Sequence, residues 1–267
     1  MKIANYYNHL NAREYLIVNK PAQYDEIKNC LASIDANGYL KISCDKANLG
    51  RIYYDQGELN NAIKAILNAD GWSENVIQYY VTGDEDTTRK IVNIHDKDEQ
   101  KSIIEERGFK SYSTYNQVDF QKDRIAVEVQ FGKYFSVAYD LHVKHTFFYS
   151  RNDIDVGVEI IPTKAMEEHM DTGVPWFENE VTNVIREGRT NPPVPILILG
   201  IEPDTVASKN PAEYSDDNLI EIIRHSAIDK FKNQVRTQRG TRRGLSQTTL
   251  ERVEKIERCL EIMEAKA

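Results

Sequence analysis

Two acidic residues and one amide are the strongest candidates for chemistry in this sequence. Asp119 lies near the end of one apolar segment, and Glu128 and Gln130 alternate with apolar residues in the next. Carboxylate and carbonyl oxygens are the ligands that Mg²⁺ prefers in proteins, and water molecules complete its octahedron. If the two segments lie side by side, Asp119, Glu128 and the backbone carbonyl of Val129 form a candidate magnesium site, with Gln130 next to it.

The segment 118–131 contains the elements that would position these groups. Its pattern predicts two short β-strands joined by a polar turn, and the apolar residues of the second strand alternate strictly: Ile125, Val127, Val129 and Phe131. Glu128 and Gln130 then share the opposite face, about 7 Å apart. An ionised carboxylate inside a protein is costly unless a cation or several donors meet it. The pattern alone leaves a plainer alternative open, in which this face is exposed and Asp119 and Asp123 only form turns.

The motif resembles the active-site strand of the type II restriction endonucleases of the PD-(D/E)xK superfamily, with Gln130 in the position of the usual lysine. More narrowly, the sequences Val118-Asp119-Phe120 and Val127-Glu128-Val129-Gln130-Phe131 are similar to the group typified by BglII and BstYI, which cut DNA around a central GATC. The resemblance extends from the amino terminus to about residue 201. It implies an α/β fold, with a central mixed β-sheet flanked by helices.

By this resemblance, Asp119, Glu128 and the carbonyl of Val129 bind Mg²⁺, for which Mn²⁺ can substitute. The bound metal would polarise a phosphate oxygen and activate a water molecule for in-line attack. Gln130 would orient that water, but it cannot supply the positive charge of the usual lysine. More of the charge stabilisation is therefore expected to fall on the metal.

A polar residue shortly after Trp72 completes the catalytic group that the resemblance implies. Asn75 matches the position that helps to place the attacking water in the family. The neighbouring Glu74 is the alternative for this role. A plain surface loop remains open as well, because short motifs recur by chance.

The resemblance also indicates residues that contact DNA. Lys133 follows the active strand directly and matches a residue that reads bases in the major groove, where guanine offers acceptors to lysine. Thr172 matches a position whose side-chain hydroxyl contacts DNA in the family. Alternatively, Lys133 is an exposed lysine in a turn. The full set of predicted DNA contacts is Lys133, Ser136, Thr172, Arg189, Arg236, Arg239, Arg242 and Arg243.

The last four of these residues lie in a basic segment, residues 236–244, that contains no acidic residue. Such a segment can follow phosphates or reach into a groove, and a solvated linker is the alternative. It belongs to a region that has no counterpart in the resemblance and whose apolar periodicity predicts helices. We therefore expect a catalytic domain, residues 1–203, and a mainly helical C-terminal extension, residues 204–267.

Apolar periodicity predicts further elements around the sheet. A short strand is expected near residues 15–18, and a charged helical excursion over 88–107. Residues 138–150 and 219–234 are each expected to form one helix. The almost wholly apolar run 194–201 is typical of a fully buried strand.

The chain has 267 residues and a formal net charge of −8, which at first argues against a nucleic-acid partner. Because the acidity is concentrated within residues 84–106, the net charge leaves that question open. No apolar stretch approaches the length of a membrane span. Three widely spaced cysteines, Cys30, Cys44 and Cys259, fit a reduced cytosol, so we expect a cytoplasmic protein with no membrane partner.

With the resemblance, these features predict an endonuclease that cuts double-stranded DNA at a palindrome with a GATC core, RGATCY or a close variant, leaving 5′-phosphates. Excluding about 10⁶ competing sites requires roughly 8 kcal/mol, and a good base contact supplies about 1–3 kcal/mol. A twofold dimer on a palindrome doubles the contacts of one subunit, so we expect a homodimer. A cognate DNA methyltransferase is expected to protect the host DNA.

Two other functions remain open from the sequence. One is a nuclease of the same fold that recognises DNA structure or damage, and the other is a catalytically inactive DNA-binding regulator. Digestion of a defined plasmid separates the three functions, since they predict discrete bands, a smear and no change, respectively.

Overall fold

The computed structural model describes residues 1–241 and 244–266, so the predicted DNA contacts Arg242 and Arg243 lie outside the described residues. Its strands are β1 (Lys2–His9), β2 (Leu40–Ile42), β3 (Ile52–Tyr54), β4 (Ser73–Val81), β5 (Tyr112–Lys122), β6 (Ile125–Val129), β7 (Val156–Pro162) and β8 (Ile196–Glu202). Its helices are α1 (Ala12–Asn19), α2 (Pro21–Ser33), α3 (Gln56–Ala69), α4 (Glu85–Ile91), α5 (Lys97–Glu106), α6 (Phe135–Tyr139), α7 (His145–Ser150), α8 (Lys164–Glu167), α9 (Phe177–Glu187), α10 (Asp216–Arg224), α11 (Ile228–Arg239) and α12 (Gln247–Lys266).

Six of the described strands form one mixed sheet in the order β1-β8-β7-β6-β5-β4. β6, β7 and β8 are parallel, while β5 and β4 on one side and β1 on the other are added antiparallel. Parallel neighbours need crossover connections, which the helices between β6 and β7 and between β7 and β8 provide. The predicted α/β fold with a central mixed sheet is therefore confirmed, and the carboxyl ends of the three parallel strands meet at one edge, where such sheets place their sites.

β5 and β6 form the predicted hairpin. Asp123 and Arg124 have φ angles of 46° and 67°, the left-handed conformation of a two-residue turn that matches the twist of the strands. Lys122 and Ile125 pair on either side of this turn. The Arg124 guanidinium binds the Asp155 carboxylate at 2.7 Å, which ties the turn to the residue that precedes β7.

Both faces of β6 are buried. On one face, Ile125, Val127 and Val129 belong to the main hydrophobic core, which also includes residues of α2, α3, β7 and β8. On the other face, Ala126 belongs to a smaller apolar cluster that includes Phe148 of α7. Glu128 shares this second face, since side chains two residues apart in a strand point the same way.

The crossover from β6 to β7 is a helical run over residues 135–150, close to the predicted 138–150. A π-helical turn from Asp140 to Lys144 joins α6 to α7, and the His145 N–H donates to the Asp140 carbonyl across it. A π turn inserts one residue into a helix and is frequent at functional sites. Here it brings Lys144 into contact with Glu128 on β6.

The prediction of a short strand near residues 15–18 is wrong. Residues 15–18 lie in α1 and not in a strand, because Ala12 and Leu16, four residues apart, are both fully buried on one helical face. The charged stretch 88–107 is helical, as predicted: it contains the end of α4 and the whole of α5, and the Asp96 side chain caps the amino terminus of α5.

The C-terminal extension packs onto the same core as the sheet. Leu219, Phe231 and Val253 are buried in the cluster that contains the apolar face of β6. Residues 219–234 are divided between α10 and α11, because the Ser226 hydroxyl donates to the carbonyl of Ile222 and ends the first helix. α12, with 20 residues, is the longest described helix, and no described helix is apolar enough over a sufficient length to cross a membrane.

Candidate active site

An irregularity in β5 brings Asp119 to β6. Between its pairs with Ser73 and Asn75, β5 contains one residue more than β4. Such a bulge re-aims a side chain and is frequent next to active sites. The Asp119 carboxylate accepts a hydrogen bond from the backbone N–H of Val129 at 3.2 Å, so the two predicted segments meet where the candidate site was expected.

Glu128 is fully buried although it carries a carboxyl group. Its exposure is 0%, and its Oε1 atom has no hydrogen-bond partner among the described residues. Burial, followed by the charges of Asp119 and Asp140, raises the pKa of Glu128 to about 10. The Lys144 ammonium, which Glu128 shares with Asp140, is the compensating positive charge beside an ionised Glu128, so a further cation would stabilise it.

A single lysine lies between Glu128 and a second carboxylate. Lys144 Nζ is 3.2 Å from Glu128 Oε2 and 2.8 Å from Asp140 Oδ1. The other Asp140 oxygen accepts a hydrogen bond from the Gln130 amide at 2.8 Å. Glu128 on β6, Gln130 directly after it, and Asp140 and Lys144 on the crossover helix are thus joined in one largely buried network.

The charge balance of this network favours a charged lysine. Burial by itself lowers the pKa of Lys144, but Glu128 and Asp140 outweigh this effect and raise it. Burial raises the pKa of Asp140 against the opposing effect of Lys144. Because one ammonium group cannot neutralise two carboxylates, Lys144 stays charged while the two acids compete for it.

Glu159 on β7 pairs in register with Glu128 and forms a hydrogen bond with His145, at 3.3 Å between Oε2 and Nε2. Burial, with the charges of Asp140 and Glu128, raises the pKa of Glu159 well above its ordinary value. Burial and then the charge of Lys144 lower the pKa of His145 to about 3. Both shifts favour the neutral forms of the two side chains, so burial disfavours a charged Glu159–His145 pair.

A cavity of about 250 Å³ opens beside Asp119. Its lining residues come from α3, β4, β5 and β6: Asn60, Asn61, Lys64, Glu74, Gln117, Asp119, Phe120 and Val129. Carboxylates, amides and one lysine thus face the same space. These side chains suit both a hydrated divalent cation and an anionic substrate.

The two candidates for placing the attacking water have different surroundings. Glu74 lines the cavity beside Asp119. The Asn75 amide donates to Gln121 at 2.6 Å, and the Gln121 amide donates to the carbonyl of Asp153. Asn75 and Gln121 are outside the cavity lining, so Asn75 braces β4 against β5 in this structure.

The donor set fits a single hard cation with few protein ligands. Across the described residues, no group of three or more His, Cys, Asp or Glu side chains is arranged to hold a metal ion. The available donors are Asp119 in the cavity, the unsatisfied oxygen of Glu128 and the carbonyl of Val129. Mg²⁺ is usually held by one or two carboxylates, substrate phosphate and several waters, so this sparse set suits it.

Three of the predicted DNA contacts lie on one surface beyond the carboxyl end of β6. Lys133 and Thr172 are exposed, and Ser136 lies in the first turn of α6. The backbone N–H of Tyr134 donates to the carbonyl of Gly173 at 2.7 Å, which holds the two loops together. The Lys133 carbonyl also accepts from the Ser136 N–H at 2.9 Å.

The predicted arginine contacts lie in other surroundings. Arg189 is exposed beyond the end of α9. Arg239 forms a two-pronged ion pair with Glu257 on α12, at 3.1 and 2.8 Å. Arg236 and Arg239 line a groove between α11 and α12 together with Glu257 and Glu261. The structure therefore places them apart from the lining of the cavity beside Asp119.

Sequence reasoning did not identify Asp140 and Lys144 as parts of this site. They are four residues apart in the helical segment after the active strand, and a carboxylate and lysine at this spacing were the available signal. That signal is weak, because such pairs are common on exposed helices.

Comparisons with known proteins identify the family of this chain. The family model described as restriction endonuclease BglII/BglIII matches residues 4–201. The crystal structure of restriction endonuclease BglII complexed with a DNA 16-mer is similar at a TM-score of 0.52 and 18% sequence identity, over 76% of this chain and 79% of that chain. Free BglII gives a TM-score of 0.47 at 18% identity, over 76% of this chain and 81% of that one.

At this level of identity, the likeness to the DNA-bound BglII structure supports the fold alone. A search of curated proteins finds no match. The family match covers most of the chain and includes the whole of β5, β6 and β7. The chain therefore belongs to the BglII/BglIII family of restriction endonucleases and is a type II site-specific DNA endonuclease.

Proposed function

We propose that the protein cuts both strands of a palindrome with a GATC core, RGATCY or a close variant, by Mg²⁺-dependent hydrolysis that leaves 5′-phosphates. The observation behind this proposal is the buried Glu128 carboxyl group beside Asp119, with one oxygen unsatisfied among the described residues. Such a group costs stability unless a cation meets it, and a role in binding a cation explains its presence. Family membership supplies the reaction class.

Asp119, Glu128 and the carbonyl of Val129 would hold the cation, Mg²⁺ or in its place Mn²⁺. A divalent cation there supplies Lewis acidity toward a phosphate oxygen and lowers the pKa of a bound water. The Val129 N–H fixes the orientation of the Asp119 carboxylate. The Gln130 amide N–H is fixed by its hydrogen bond to Asp140, which leaves the Gln130 side-chain carbonyl to accept a hydrogen bond from the attacking water and so orient it.

A further residue is needed to hold that water in line with the phosphate. Asn75 matches the family position, whereas Glu74 lines the cavity with Asp119. The geometry favours Glu74, because the Asn75 amide is engaged by Gln121 at 2.6 Å. Single-turnover cleavage by the variants Glu74→Gln and Asn75→Ala compares them directly, and the larger loss identifies the residue that places the water.

The surface with Lys133, Ser136 and Thr172 would read the DNA bases beside the cleavage site. Lys133 can donate to guanine acceptors, and the two hydroxyls can donate or accept. Arg189 and the basic segment 236–244 would contact phosphates, which fixes the register of the protein on the duplex but does not itself specify sequence. Arg239 must first leave its ion pair with Glu257 to do so.

The proposed assembly is a homodimer that cuts one strand with each subunit. One subunit with two or three base contacts of about 1–3 kcal/mol falls short of the roughly 8 kcal/mol needed to exclude about 10⁶ sites, and twofold symmetry doubles the contacts. Phe135, Tyr139 and Val143 are exposed at intervals of four along the crossover helix, which supports an interface there. Sedimentation tests it, because Phe135→Asp and Val143→Asp are expected to shift the protein to monomers.

Other parts of the proposal concern the organisation and setting of the protein. Residues 1–203 would form the catalytic domain and residues 204–267 an extension that packs on it. A cytoplasmic location fits the free cysteines Cys30, Cys44 and Cys259. A cognate DNA methyltransferase would be required to protect the host DNA from the enzyme.

Digestion of a defined plasmid tests the proposed activity. With Mg²⁺, we expect discrete fragments whose sequenced ends all fall in RGATCY and carry 5′-phosphates. Excess chelator should abolish cutting, and Mn²⁺ should restore it.

Each other outcome contradicts a different part of the proposal. Discrete fragments with other ends would contradict the recognition sequence alone. A smear would indicate a nuclease that recognises structure or damage. Intact plasmid, together with retained DNA binding, would indicate an inactive DNA-binding protein.

A further inference from the structure

Lys144 occupies the position between two carboxylates that a bridging cation would take. Its Nζ atom is 3.2 Å from Glu128 Oε2 and 2.8 Å from Asp140 Oδ1. Glu128 and Asp140 are both buried, with exposures of 0% and 1%. Their facing oxygens therefore meet the lysine and not water.

The backbone conformation of the crossover helix places Lys144 between the two carboxylates. Asp140 and Lys144 are the first and last residues of the π-helical turn, which the His145 N–H closes on the Asp140 carbonyl. The inserted residue changes the direction in which the following side chains point, and such turns persist at functional sites despite their cost. The Gln130 amide donates to Asp140 Oδ2 at 2.8 Å, while Lys144 contacts Asp140 Oδ1. The Asp140 carboxylate is therefore held by Gln130 at one oxygen and by Lys144 at the other.

The charges support a single additional ion. The carboxylates of Asp119, Glu128 and Asp140 carry three negative charges when all are ionised, the Lys144 ammonium between two of them offsets one, and one divalent ion neutralises the remaining two. Glu128 presents its two oxygens differently, since Oε2 contacts Lys144 and Oε1 has no partner among the described residues. One oxygen thus remains for a metal, and the other is taken by the lysine.

We propose that Lys144 is a built-in counter-ion that occupies the place of a second divalent cation between Glu128 and Asp140, so that each active site binds one metal ion. This inference rests on the proposed metal site at Asp119 and Glu128. It assigns Lys144 a positioning role, because the lysine acts on Glu128 and through it on the cation. It also explains how the strand functions with Gln130 where the motif has lysine, since the positive charge comes from the crossover helix.

The number of bound Mn²⁺ ions tests the proposal without DNA or cleavage. Titration of the full-length protein, followed by the electron paramagnetic resonance signal of free Mn²⁺, is expected to give one ion per wild-type chain. Lys144→Gln should give two ions per chain, and the double variant with Asp140→Asn should return to one. Lys144→Arg keeps the charge and should stay at one.

A matched control separates local from general charge effects. Lys255 has the same side-chain exposure as Lys144, 19%, and is also paired with an aspartate, Asp216. Lys255→Gln should leave the count at one. Circular dichroism confirms that each variant folds, and Lys144→Met repeats the measurement if Lys144→Gln does not fold.

The outcomes distinguish this inference from the proposed function. A wild-type protein that binds no Mn²⁺ contradicts the proposed metal site itself. A wild-type protein that binds two ions, or a folded Lys144→Gln or Lys144→Met variant that still binds one, overturns the role of Lys144 only. If neither neutral variant folds, a wild-type count of two still overturns the role of Lys144, and a count of one supports it.

Discussion

On one face of β6, Ile125, Val127 and Val129 pack into the main hydrophobic core, while on the other face Glu128 contacts the charged side chain of Lys144. Both faces are closed to solvent, and Glu128 is as buried as Val127, at 0% exposure. Each side chain of the apolar face packs against other apolar side chains of the core. The polar face contains a carboxyl oxygen that is unsatisfied among the described residues.

The difference shows how the sheet accommodates an unfavourable group. Burying three aliphatic side chains contributes roughly 5–9 kcal/mol, at about 1.5–3 kcal/mol each. Leaving a buried charge without its partner costs about 3–5 kcal/mol. The apolar face therefore stabilises the strand enough to hold Glu128 in place without a cation, so the proposed site would be formed before a metal ion or DNA binds.

The largest expected effect is on cleavage, from Glu128→Gln. The amide keeps the size of the side chain but cannot replace the carboxylate as a metal ligand, so the single-turnover cleavage rate should fall by about 10³-fold or more. The free energy of unfolding should not fall, because a buried group with a strongly raised pKa becomes a neutral one. Urea denaturation measures the free energy of unfolding, and a binding assay in Ca²⁺ measures the affinity for DNA. Both should match those of the wild type.

Cleavage at the wild-type rate by Glu128→Gln would remove Glu128 from the proposed mechanism. A rate loss accompanied by an equal loss of folded protein would also contradict the comparison, because it would make Glu128 a structural residue.

The opposite behaviour is expected of the apolar face. Ile125 is fully buried and pairs with Val156 in the parallel register. Ile125→Ala should lower the free energy of unfolding by about 2–5 kcal/mol, through lost burial and the cavity that remains. The cleavage rate of the folded fraction should stay near that of the wild type. Val76→Ala, at an exposed position on β4, is the control and should change stability by less than about 0.5 kcal/mol.

If Ile125→Ala abolishes cleavage while the protein stays folded at the assay temperature, the two faces are not independent. The position of Glu128 would then depend on core packing, and the division of roles would be wrong.

A third variant measures what the polar face costs. Glu159 is fully buried, its Oε1 has no partner in the described part of the chain, and burial raises its pKa well above the ordinary value. Glu159→Gln should raise the free energy of unfolding at pH 8 by about 1–4 kcal/mol, since a neutral amide needs no proton to remain buried. Urea denaturation at pH 5 and pH 8 measures the gain.

The sign of the pH dependence follows from the direction of the shift. In the unfolded chain, Glu159 ionises near pH 4.3, whereas the folded protein keeps its proton to a higher pH, so wild-type stability from this residue is lost as the pH rises. Glutamine does not titrate, and the advantage of Glu159→Gln must therefore be larger at pH 8 than at pH 5. Burial and then the charge of Lys144 lower the pKa of His145, and Glu159→Gln leaves both causes in place, so the contribution of His145 should change little. If the stability advantage of Glu159→Gln over the wild type shrinks as the pH rises, the pKa of Glu159 is not raised in the folded protein.

Much of the fold could be predicted because its signals are local. The alternation of Ile125, Val127 and Val129 and the apolar run 194–201 each specify a strand from neighbouring residues alone. The segment 15–18 was predicted wrongly because four apolar residues fit a strand or a helix equally well. The burial of Leu16, together with Ala12, against the core depends on residues far away in the sequence and decides for the helix.

The site could be predicted only where it follows the strands. Asp119 and Glu128 lie nine positions apart on a hairpin, so strand geometry brings them together. Lys144 reaches Glu128 from 16 residues away, across a crossover and a π turn. No local pattern specifies that turn, because its register depends on how the whole helix packs on the sheet.

The smallest expected effect tests how tightly the polar face is packed. A Cβ atom added to Gly157 on β7 would lie 2.6 Å from His145 Nδ1, closer than real Cβ atoms approach. His145 is fully buried and its ring is held by Glu159, so it cannot swing away. Gly157→Ala should therefore lower the free energy of unfolding by about 1–3 kcal/mol, the usual cost of overpacking.

Gly38 provides the matched control for this variant. An added Cβ there has no neighbour within 4 Å, so Gly38→Ala should be neutral or stabilise by up to about 1 kcal/mol. Because Gly157 lies next to Ala126 in the parallel pairing, two residues before Glu128, the strain of Gly157→Ala should also reach the site and lower the cleavage rate of the folded protein. Unchanged stability in Gly157→Ala would mean that the polar face can rearrange, and the fixed position of Glu128 would then have to come from Lys144 alone.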